Sequence, residues 1–565
     1  MGPVAGQETH GVSVAPKSRS MLEPRVLLRR VTCVSDPKVW NCLLIGFLIL
    51  LTAWAAWPLR GTVVGDSVIH LVYARNLAHG LFFQYNVGEV STGSSSPLWT
   101  ALLGLLALLV PEILVPSAKL LALFLYLGSF WLVYLAARRA VCLSRGFATL
   151  AVLVWSAVSW RGLELALELF ETLLAVDLVL LLFIVLPEVG RSAWWAAAAG
   201  IVAGLCPLGR MELAAFAGLS LGWLCIAAVM RRVPMRNAGI ALLAAVLVGG
   251  PYFLWSLAAT GHFLSSSALG RALSGSEEVS TSLRSLVVRI VALAAVSGGT
   301  ASFWRHGPRS GRPAVLLAAG SFAFYHLFFT FAAPAGSHYG RYTFVAAPLA
   351  ALVIVAGIAA IPAMVVRRWL TAAVAGSGVL FAMGGTFATR ASETYPLDLI
   401  VEQRVCDWIN ANTPRSSKVL LYEVQARYCL DRRILALDGI IDARILPYAA
   451  RRSDLVDFLL AERPDYWVAN NAPRYRPYLA RSIFRDVLEN TPRVLGASYE
   501  SQGIRFEVVK VRGPEEPTVQ GQGPNPKYPL FAGYLAIYRI KYAPVVGVME
   551  ASRTWEPRVV SVPTH

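Results

Sequence analysis

What most constrains this chain is a series of apolar runs of bilayer-crossing length, separated by clusters of arginine. Runs fall at about 163–186, 194–208, 212–230, 238–257, 285–303, 314–333, 343–363 and 369–387. A helix needs roughly 20 apolar residues to cross a hydrocarbon core; several runs are near that length, while 194–208 is short. Arg231, Arg232 and Arg236 form one cluster, Arg305, Arg309 and Arg312 a second, and Arg367 and Arg368 a third. Two runs lie between successive clusters, so all three share a side, and positive loops mark that side as cytoplasmic. Arg138, Arg139 and Arg145 then also lie inside, with 147–160 crossing outward.

Read from the other end, residues 1–39, with Arg25, Arg29, Arg30 and Lys38, form a cytoplasmic tail before a signal anchor at Trp40 to Pro58. The two directions agree when 97–137, divided by Pro111 and Pro116, makes one net inward crossing with one piece interfacial or half-embedded. The expected fold is a polytopic α-helical membrane protein of about 11 spans.

Composition agrees: 56% of residues are hydrophobic and only 15% charged, against roughly 25% charged in soluble domains. The net charge of +17 is accounted for by the inside arginines, so the expected environment is a lipid bilayer and no nucleic-acid partner is expected. Seven cysteines show no CxxC or metal-ligand spacing; Cys42, Cys142, Cys206 and Cys225 lie in or near apolar runs, and only Cys406 and Cys429 are expected to pair outside the membrane. No G-x-G-x-x-G or P-loop appears, so nothing supports a nucleotide-sugar or ATP enzyme.

This topology sends most of the unusual polar residues outward. The first outer loop, 60–97, is polar and glycine-rich and holds Asp66, His70, Arg75, Asn76, His79 and Glu89. Within it YARNLAHG reads equally as part of a site and as an interfacial helix with Leu71, Ala74 and Leu77 towards lipid. A helix beginning at Arg161 sets Glu164, Glu168 and Glu171 on one face by i, i+4, i+7 spacing, with Asp177 further in. Glu168 and Glu171 are as readily a solvated helix start, whereas Glu164, beside Arg161 and Gly162, reads as a site residue.

Arg210 and Glu212 sit in an apolar hairpin, either as a local ion pair or as an anion site. His262 lies in the outer loop 258–284; His338, Tyr339, Arg341 and Tyr342 occupy the next outer turn, as aromatic belt or as site.

Beyond residue 390 the composition changes. DLIVEQRVCDWINANT and RSDLVDFLLAER have helical periodicity, while KVLLYE, DYWVAN, RVLGASY and IRFEVVKV are short apolar strands between turns. These make 391–512 an extracytoplasmic α/β domain, with 40–390 as the transmembrane domain and 513–565 as a Pro/Gly-rich extension containing the strand-like YLAIYRIKY. Asp438 and Asp442 in LDGIIDA read as turn-stabilising rather than acceptor-contacting.

The run GDSVIHLVYARNLAHGLFFQYNVGEVSTGSSSPLW resembles the first loop of GT-C class membrane glycosyltransferases, particularly the mycobacterial terminal arabinofuranosyltransferases of the cell wall. The likeness continues through RGLELAL, GLCPLGRMEL, ATGHFLSSSALGRA, GRYTFVAAPLAAL, WINANTPRSSKVLL, RRILALDGIID and RPDYWVAN. The resemblance implies a multi-pass enzyme of the bacterial inner (cell) membrane, active on the extracytoplasmic side. It implies transfer of a sugar, arabinofuranose by the nearest likeness, from a polyprenyl-phosphate donor to an envelope glycan or protein acceptor.

In that family an acidic residue early in the first loop is the proposed general base of an inverting transfer, and Asp66 matches it. Glu164 would orient the acceptor or a cation, Arg210 or Arg341 would hold phosphate, and Glu212, His338, Arg75, Asn76 and His262 would complete substrate binding. A divalent cation is compatible with this chemistry, and its ligands are not identified.

Three departures stand out: Gly65 where relatives carry a second carboxylate, Thr92 to Ser95 where they read EGYT, and Met211 where Arg-Pro-Glu is usual. The first keeps open a catalytically inactive GT-C-like scaffold. The number of spans keeps open a lipid-linked sugar transporter or flippase, against which stand the absence of evident inverted repeats and the large outer domain.

Overall fold

The computed structural model describes residues 65–273, 283–329, 341–391, 403–422, 424–439, 441–451, 454–470, 481–512 and 535–543, with isolated positions such as Val63 and Leu479. Residues 1–54 cluster as a unit of their own, in which only Gly46, Leu50, Ala53 and Trp54 are described, all helical. The expected cytoplasmic tail lies outside the described residues, as does most of the first span. Everything below belongs to the unit 55–565.

Its first part is helical: α1 (Gly65–Ala78), α2 (Pro97–Leu109), α3 (Leu114–Arg139), α4 (Arg145–Val158), α5 (Trp160–Leu167), α6 (Thr172–Val185), α7 (Ala193–Gly209) and α8 (Leu213–Val229). There follow α9 (Met235–Thr260), α10 (Ser266–Leu273), α11 (Leu283–His306), α12 (Arg312–Leu327), α13 (Arg341–Phe344), α14 (Ala347–Ala359) and α15 (Met364–Ala391). Among the described residues three helical segments are long and apolar enough to cross a membrane, Pro111–Arg139, Met235–Thr260 and Val287–His306. The pair α4 and α5 passes the same test only when taken together, and is bent by 58° at its break, the geometry of a broken span or a re-entrant loop. This is a helical membrane protein. Several apolar helices are shorter: α2 has 13 residues, a rise of about 20 Å, so it does not span a core of about 30 Å.

Local chemistry sets the helix ends. Ser96 caps α2 by accepting the Trp99 N–H at 3.2 Å, with Pro97 in the first turn, where a missing N–H costs nothing. Gly261, at φ 74°, ends α9 in the left-handed conformation that glycine tolerates.

Small residues let the helices approach closely. A Cβ on Gly200 of α7 would lie 2.2 Å from the Ala241 carbonyl oxygen of α9, and one on Gly204 would lie 2.6 Å from that of Ala245. Where lipid is as apolar as the side chains, such backbone approach is what holds helices together. Gly299 of α11 and Gly357 of α14 meet in the same way.

One expected helix is interrupted. The chain leaves α5 at Leu167 and re-enters helix at Thr172, with Leu169 at φ 63° between them. Glu164, Glu168 and Glu171 therefore do not share a continuous helical face. The break is held from outside: the Ser67 hydroxyl donates to the Glu168 carbonyl, and the Trp99 indole N–H donates to that of Leu169 at 3.2 Å. These side chains satisfy backbone oxygens that a continuing helix would have paired.

The C-terminal part is α/β. Helix α16 (Gln403–Asn412) precedes β1 (Lys418–Leu421) and β2 (Arg433–Ala436); α17 (Leu446–Ala450) and α18 (Val456–Glu462) lead to β3 (Tyr466–Ala469); α19 (Ile483–Asn490) leads to β4 (Ser498–Ser501), β5 (Ile504–Val511) and β6 (Ala536–Tyr542). The sheet order is β2-β1-β3-β6-β5-β4, with β1 parallel to β2 and β3 and the remaining pairs antiparallel. Central β3 is buried on both faces, which explains its unbroken apolar run YWVA.

Strand β6 comes from the stretch read as an extension after 512, and it sits between β3 and β5. The alternating apolar residues of AIYRIKY supply that register; the low-complexity chain around it gives no sign of such a partner. Cys406 and Cys429 form a disulfide, the pair expected from the sequence.

Two stability predictions follow from this packing. Gly200→Leu forces α7 off α9 and lowers stability by about 1–3 kcal/mol; thermal unfolding of the detergent-purified protein reads this as a fall in Tm, whereas Gly218→Leu, which meets nothing within 4 Å, leaves Tm in place. Replacing Cys406 by Ser removes a cross-link over 23 residues and costs about 3 kcal/mol, seen as a lowered denaturation midpoint that reducing agent reproduces in the parent protein.

Candidate active site

Asp66 stands in the first turn of α1 and is 36% exposed at its side chain. Its Oδ2 accepts a hydrogen bond at 2.9 Å from Nη2 of Arg341, which is 2% exposed. The Arg341 guanidinium lies 4.5 Å from the Phe170 ring centre and 5.5 Å from that of Tyr342. A cation buried this far needs both an anion and such ring faces to offset its lost hydration.

A second charged group lies behind the first. Glu171, 1% exposed at the foot of α6, meets Nη1 of Arg210 at 3.0 Å and Nε2 of His70 at 3.6 Å. Arg210 also pairs through Nε with Glu212, donates to the Thr172 hydroxyl at 3.3 Å and faces the Tyr342 ring at 4.6 Å. Tyr342 thus has a guanidinium on Arg210 and another on Arg341 within reach, and links the two groups. Nδ1 of His70 lies 3.1 Å from the Thr100 hydroxyl and 3.2 Å from that of Ser94, which fixes the ring. A small pocket opens at the front, lined by Asp66, His70, Gly93, Ser95, Ser267 and Arg341.

Among the expected site residues, then, Asp66, Arg341, Arg210 and Glu212 come together. Glu164 instead pairs with Arg161. Its connection to the group runs through Glu168, which is within electrostatic reach of Glu164, Arg161, Arg341 and Lys119. His262 is exposed at the end of α9, where its backbone oxygen accepts from the Ser256 hydroxyl at 2.9 Å; its loop reaches the pocket through Ser267. His338 lies outside the described residues.

Arg75 and Asn76 face the C-terminal domain and their own loop. Arg75 Nη1 donates to the Tyr428 carbonyl at 2.8 Å, and Asn76 Nδ2 donates to the carbonyls of Gln84 and Tyr85. Leu71 and Ala74 are fully buried, so α1 does not lie on lipid with those residues outward. His70, Glu171 and Ser267 were harder to single out. Their signal was a titratable or polar group on an otherwise apolar face, and for Glu171 a solvated helix start explained the sequence equally well.

No protein-family model matches the chain, and no curated protein matches it. Solved structures do. ArnT from Cupriavidus metallidurans bound to undecaprenyl phosphate superposes with a TM-score of 0.51 at 12% identity, over 74% of this chain and 89% of that one. The Archaeoglobus fulgidus oligosaccharyltransferase tethered to an acceptor peptide gives 0.50 at 12% identity, over 82% and 73%. The chain has a GT-C fold. A mycobacterial arabinofuranosyltransferase, AftD, is 16% identical over 89% of this chain and 40% of its own length with a TM-score of 0.47, a likeness that says nothing of the sugar.

Within this GT-C fold the departures acquire physical reasons. Gly65 lies against Gln425 of the C-terminal domain, whose side-chain nitrogen would lie 2.5 Å from a Cβ there and would have to swing aside for a larger residue. Thr92 accepts the Ser266 N–H at 3.1 Å, and Met211 sulfur accepts from the Ser265 hydroxyl at 3.1 Å, so both positions bind the segment that carries Ser267.

The GT-C first loop is clamped from the other side. Tyr85 donates to the Val424 carbonyl at 2.8 Å, Ser91 donates to that of Ile441, and the Asn86 amide both donates to and accepts from Ile434 on the outer edge of β2. Glu89 pairs with Arg433 and Arg444. Burial works against the Arg444 charge, yet the bonded Asp442, with Glu89 and Glu462 nearby, raises its pKa above the usual guanidinium range. Asp442 also accepts the Arg444 N–H at 3.1 Å, the turn role expected of it.

Tyr73 accepts the Gly93 N–H at 3.0 Å and lies 2.7 Å from the Ser91 hydroxyl, and burial pushes its pKa up, so it stays a neutral brace under the loop. Among the described residues no three His, Cys, Asp or Glu side chains are grouped as a metal ion requires.

Glu171→Ala strands the buried Arg210 with a diminished partner set and costs about 3–5 kcal/mol. Arg485→Ala, which removes one partner of the exposed Arg485–Glu489 pair, costs about 0–1 kcal/mol. Comparing the two Tm values in one detergent checks this; similar losses would contradict the buried network.

Proposed function

We propose that the protein transfers a sugar from a polyprenyl-phosphate donor to an envelope acceptor on the outer side of the bacterial inner membrane, with Asp66 as general base. The observation that carries the reading is the partly exposed Asp66 carboxylate on a buried Arg341 at the mouth of a pocket in a GT-C fold. Support for the lipid donor comes from the ArnT structure, which holds undecaprenyl phosphate, and for a separate acceptor from the oligosaccharyltransferase tethered to its peptide.

In this reading the acceptor hydroxyl gives its proton to Asp66 as its oxygen bonds to the anomeric carbon. The bond from that carbon to the phosphate oxygen breaks, and polyprenyl phosphate leaves with the electron pair. Attack opposite the phosphate inverts the anomeric centre. Arg341, released from Asp66 as the donor enters, receives the growing phosphate charge, and a guanidinium suits paired phosphate oxygens. Arg210, held by Glu171 and Glu212, supports Tyr342 and the second guanidinium field behind it.

The topology that goes with this has about 11 spans, a cytoplasmic tail at 1–39, the transmembrane domain at 40–390, and an outer α/β domain that gathers 391–512 and β6. Arabinofuranose is the first sugar to test, and a pentosyl or hexosyl donor separates the choices.

With the full-length protein in nanodiscs and a polyprenyl-phosphate sugar donor, Asp66→Asn lowers transfer by about 10²–10⁴-fold in a protein that still expresses and folds, with a lowered Tm because buried Arg341 loses its anion. Unaltered transfer in that variant removes Asp66 from the chemistry. Absence of transfer by the parent across donors marks a scaffold, and lipid movement that survives Asp66→Asn marks a transporter.

A further inference from the structure

A second cavity, of about 220 Å³, lies where α1 meets the turn closed by the Cys406–Cys429 disulfide. Arg75 and Asn76 line it from the helix, and Arg427, Tyr428 and Asp431 line it from the domain. Arg75 is nine residues beyond Asp66 on α1, a rise of about 13 Å at 1.5 Å per residue. The cavity therefore lies apart from the Asp66 pocket along one rigid element, and the transfer chemistry described above makes no use of it.

Its polar groups have donors and acceptors in a mixture. Both N–H donors of Asn76 are engaged by Gln84 and Tyr85, so its side-chain oxygen is what it can offer. Arg75 is fixed by the Tyr428 carbonyl and lies 4.7 Å from the Tyr428 ring centre, which positions its guanidinium. Arg427 donates through Nη1 to the Leu430 carbonyl at 2.6 Å, while its buried Nε–H meets no acceptor among the described residues. Burial lowers the pKa of Arg427 against the opposing pull of Tyr85 and Asp431, with Arg75 adding a smaller repulsion.

Asp431 is exposed and lines the same cavity, with its carboxylate within electrostatic reach of Arg427. A phosphate or sulfate is negatively charged and presents mostly acceptors at neutral pH, and Asp431 would repel it. A polyol presents hydroxyls that donate to Asp431 and Asn76 and accept from Arg75 and Arg427. Val72 and Leu430 supply apolar lining for the C–H face of a ring.

We infer that this cavity is a subsite for a neutral sugar unit of a glycan acceptor, holding the chain at a distance from the hydroxyl presented to Asp66. As an acceptor subsite it rests on the transferase reading, and it selects an envelope glycan over a protein acceptor.

The test is saturation-transfer NMR on the full chain in nanodiscs. The probes are short neutral oligosaccharides of arabinofuranose, mannose, glucose and galactose, with inorganic phosphate as competitor. At least one oligosaccharide binds. Asp431→Ala, a change at an exposed residue, weakens that binding about tenfold, as expected for losing a hydrogen bond to a charged group, and equimolar phosphate leaves it unchanged. Arg427→Gln, checked for an unaltered Tm, weakens it as well.

No bound oligosaccharide, binding that ignores Asp431→Ala, or sugar displaced by phosphate overturns the inference. Sugar binding that depends on Asp431 in a protein that transfers nothing leaves the subsite standing and removes the transferase. Transfer that requires Asp66 while sugar binding and acceptor KM ignore Asp431 removes the subsite alone.

Discussion

Everything in this protein turns on how two buried guanidinium groups are neutralised. Arg341 and Arg210 come from turns more than a hundred residues apart, and each is almost wholly removed from solvent. Neither can be buried without an anion, because an unpaired charge in a low-dielectric interior is far costlier than one in water. Asp66 answers the first, and Glu171 with Glu212 answers the second. Four separate segments of chain are thereby drawn to one place, with Tyr342 presenting its ring to both cations.

That requirement explains local features that otherwise look irregular. The helix that would have run from Trp160 through Val185 breaks at Leu169, and the break carries Glu171 and Phe170 to the two arginines. Ser67 and Trp99 hold the freed carbonyls of the break, so the 65–97 segment and the second charged group are built as one piece. The C-terminal domain completes the arrangement from outside. By accepting Asn86 along the edge of β2 and Tyr85 at Val424, it fixes the far end of the loop whose near end presents Asp66. An edge strand is thereby also shielded from pairing elsewhere.

Much of this was legible beforehand. Apolar runs and arginine clusters identify a helical membrane protein because bilayer thickness and positive loops act on any sequence in the same way. The switch to short alternating runs after residue 390 marks an α/β domain, and the cysteine pair expected outside the membrane is the pair that forms. Asp66, Arg210, Glu212 and Arg341 were conspicuous as charges at the ends of apolar runs.

Glu164, Arg75, Asn76 and His262 were conspicuous for the same reason and lie apart from the Asp66 pocket: at Arg161, in the second cavity and at the surface. Placing YLAIYRIKY inside the sheet depends on which strand edges are open, and no local pattern records that.

The sequence by itself determined the solvent this protein lives in, the class of its two parts and a short roster of charged residues able to do chemistry, since hydropathy, period and charge are local properties. Only the tertiary structure decided which charges meet. Pairing Arg341 with Asp66 spans 275 residues and pairing Arg210 with Glu171 spans 39, and each depends on a helix break, on close glycine contacts between helices and on a domain docked against a loop. Those are properties of packed surfaces, and no single stretch of chain contains them.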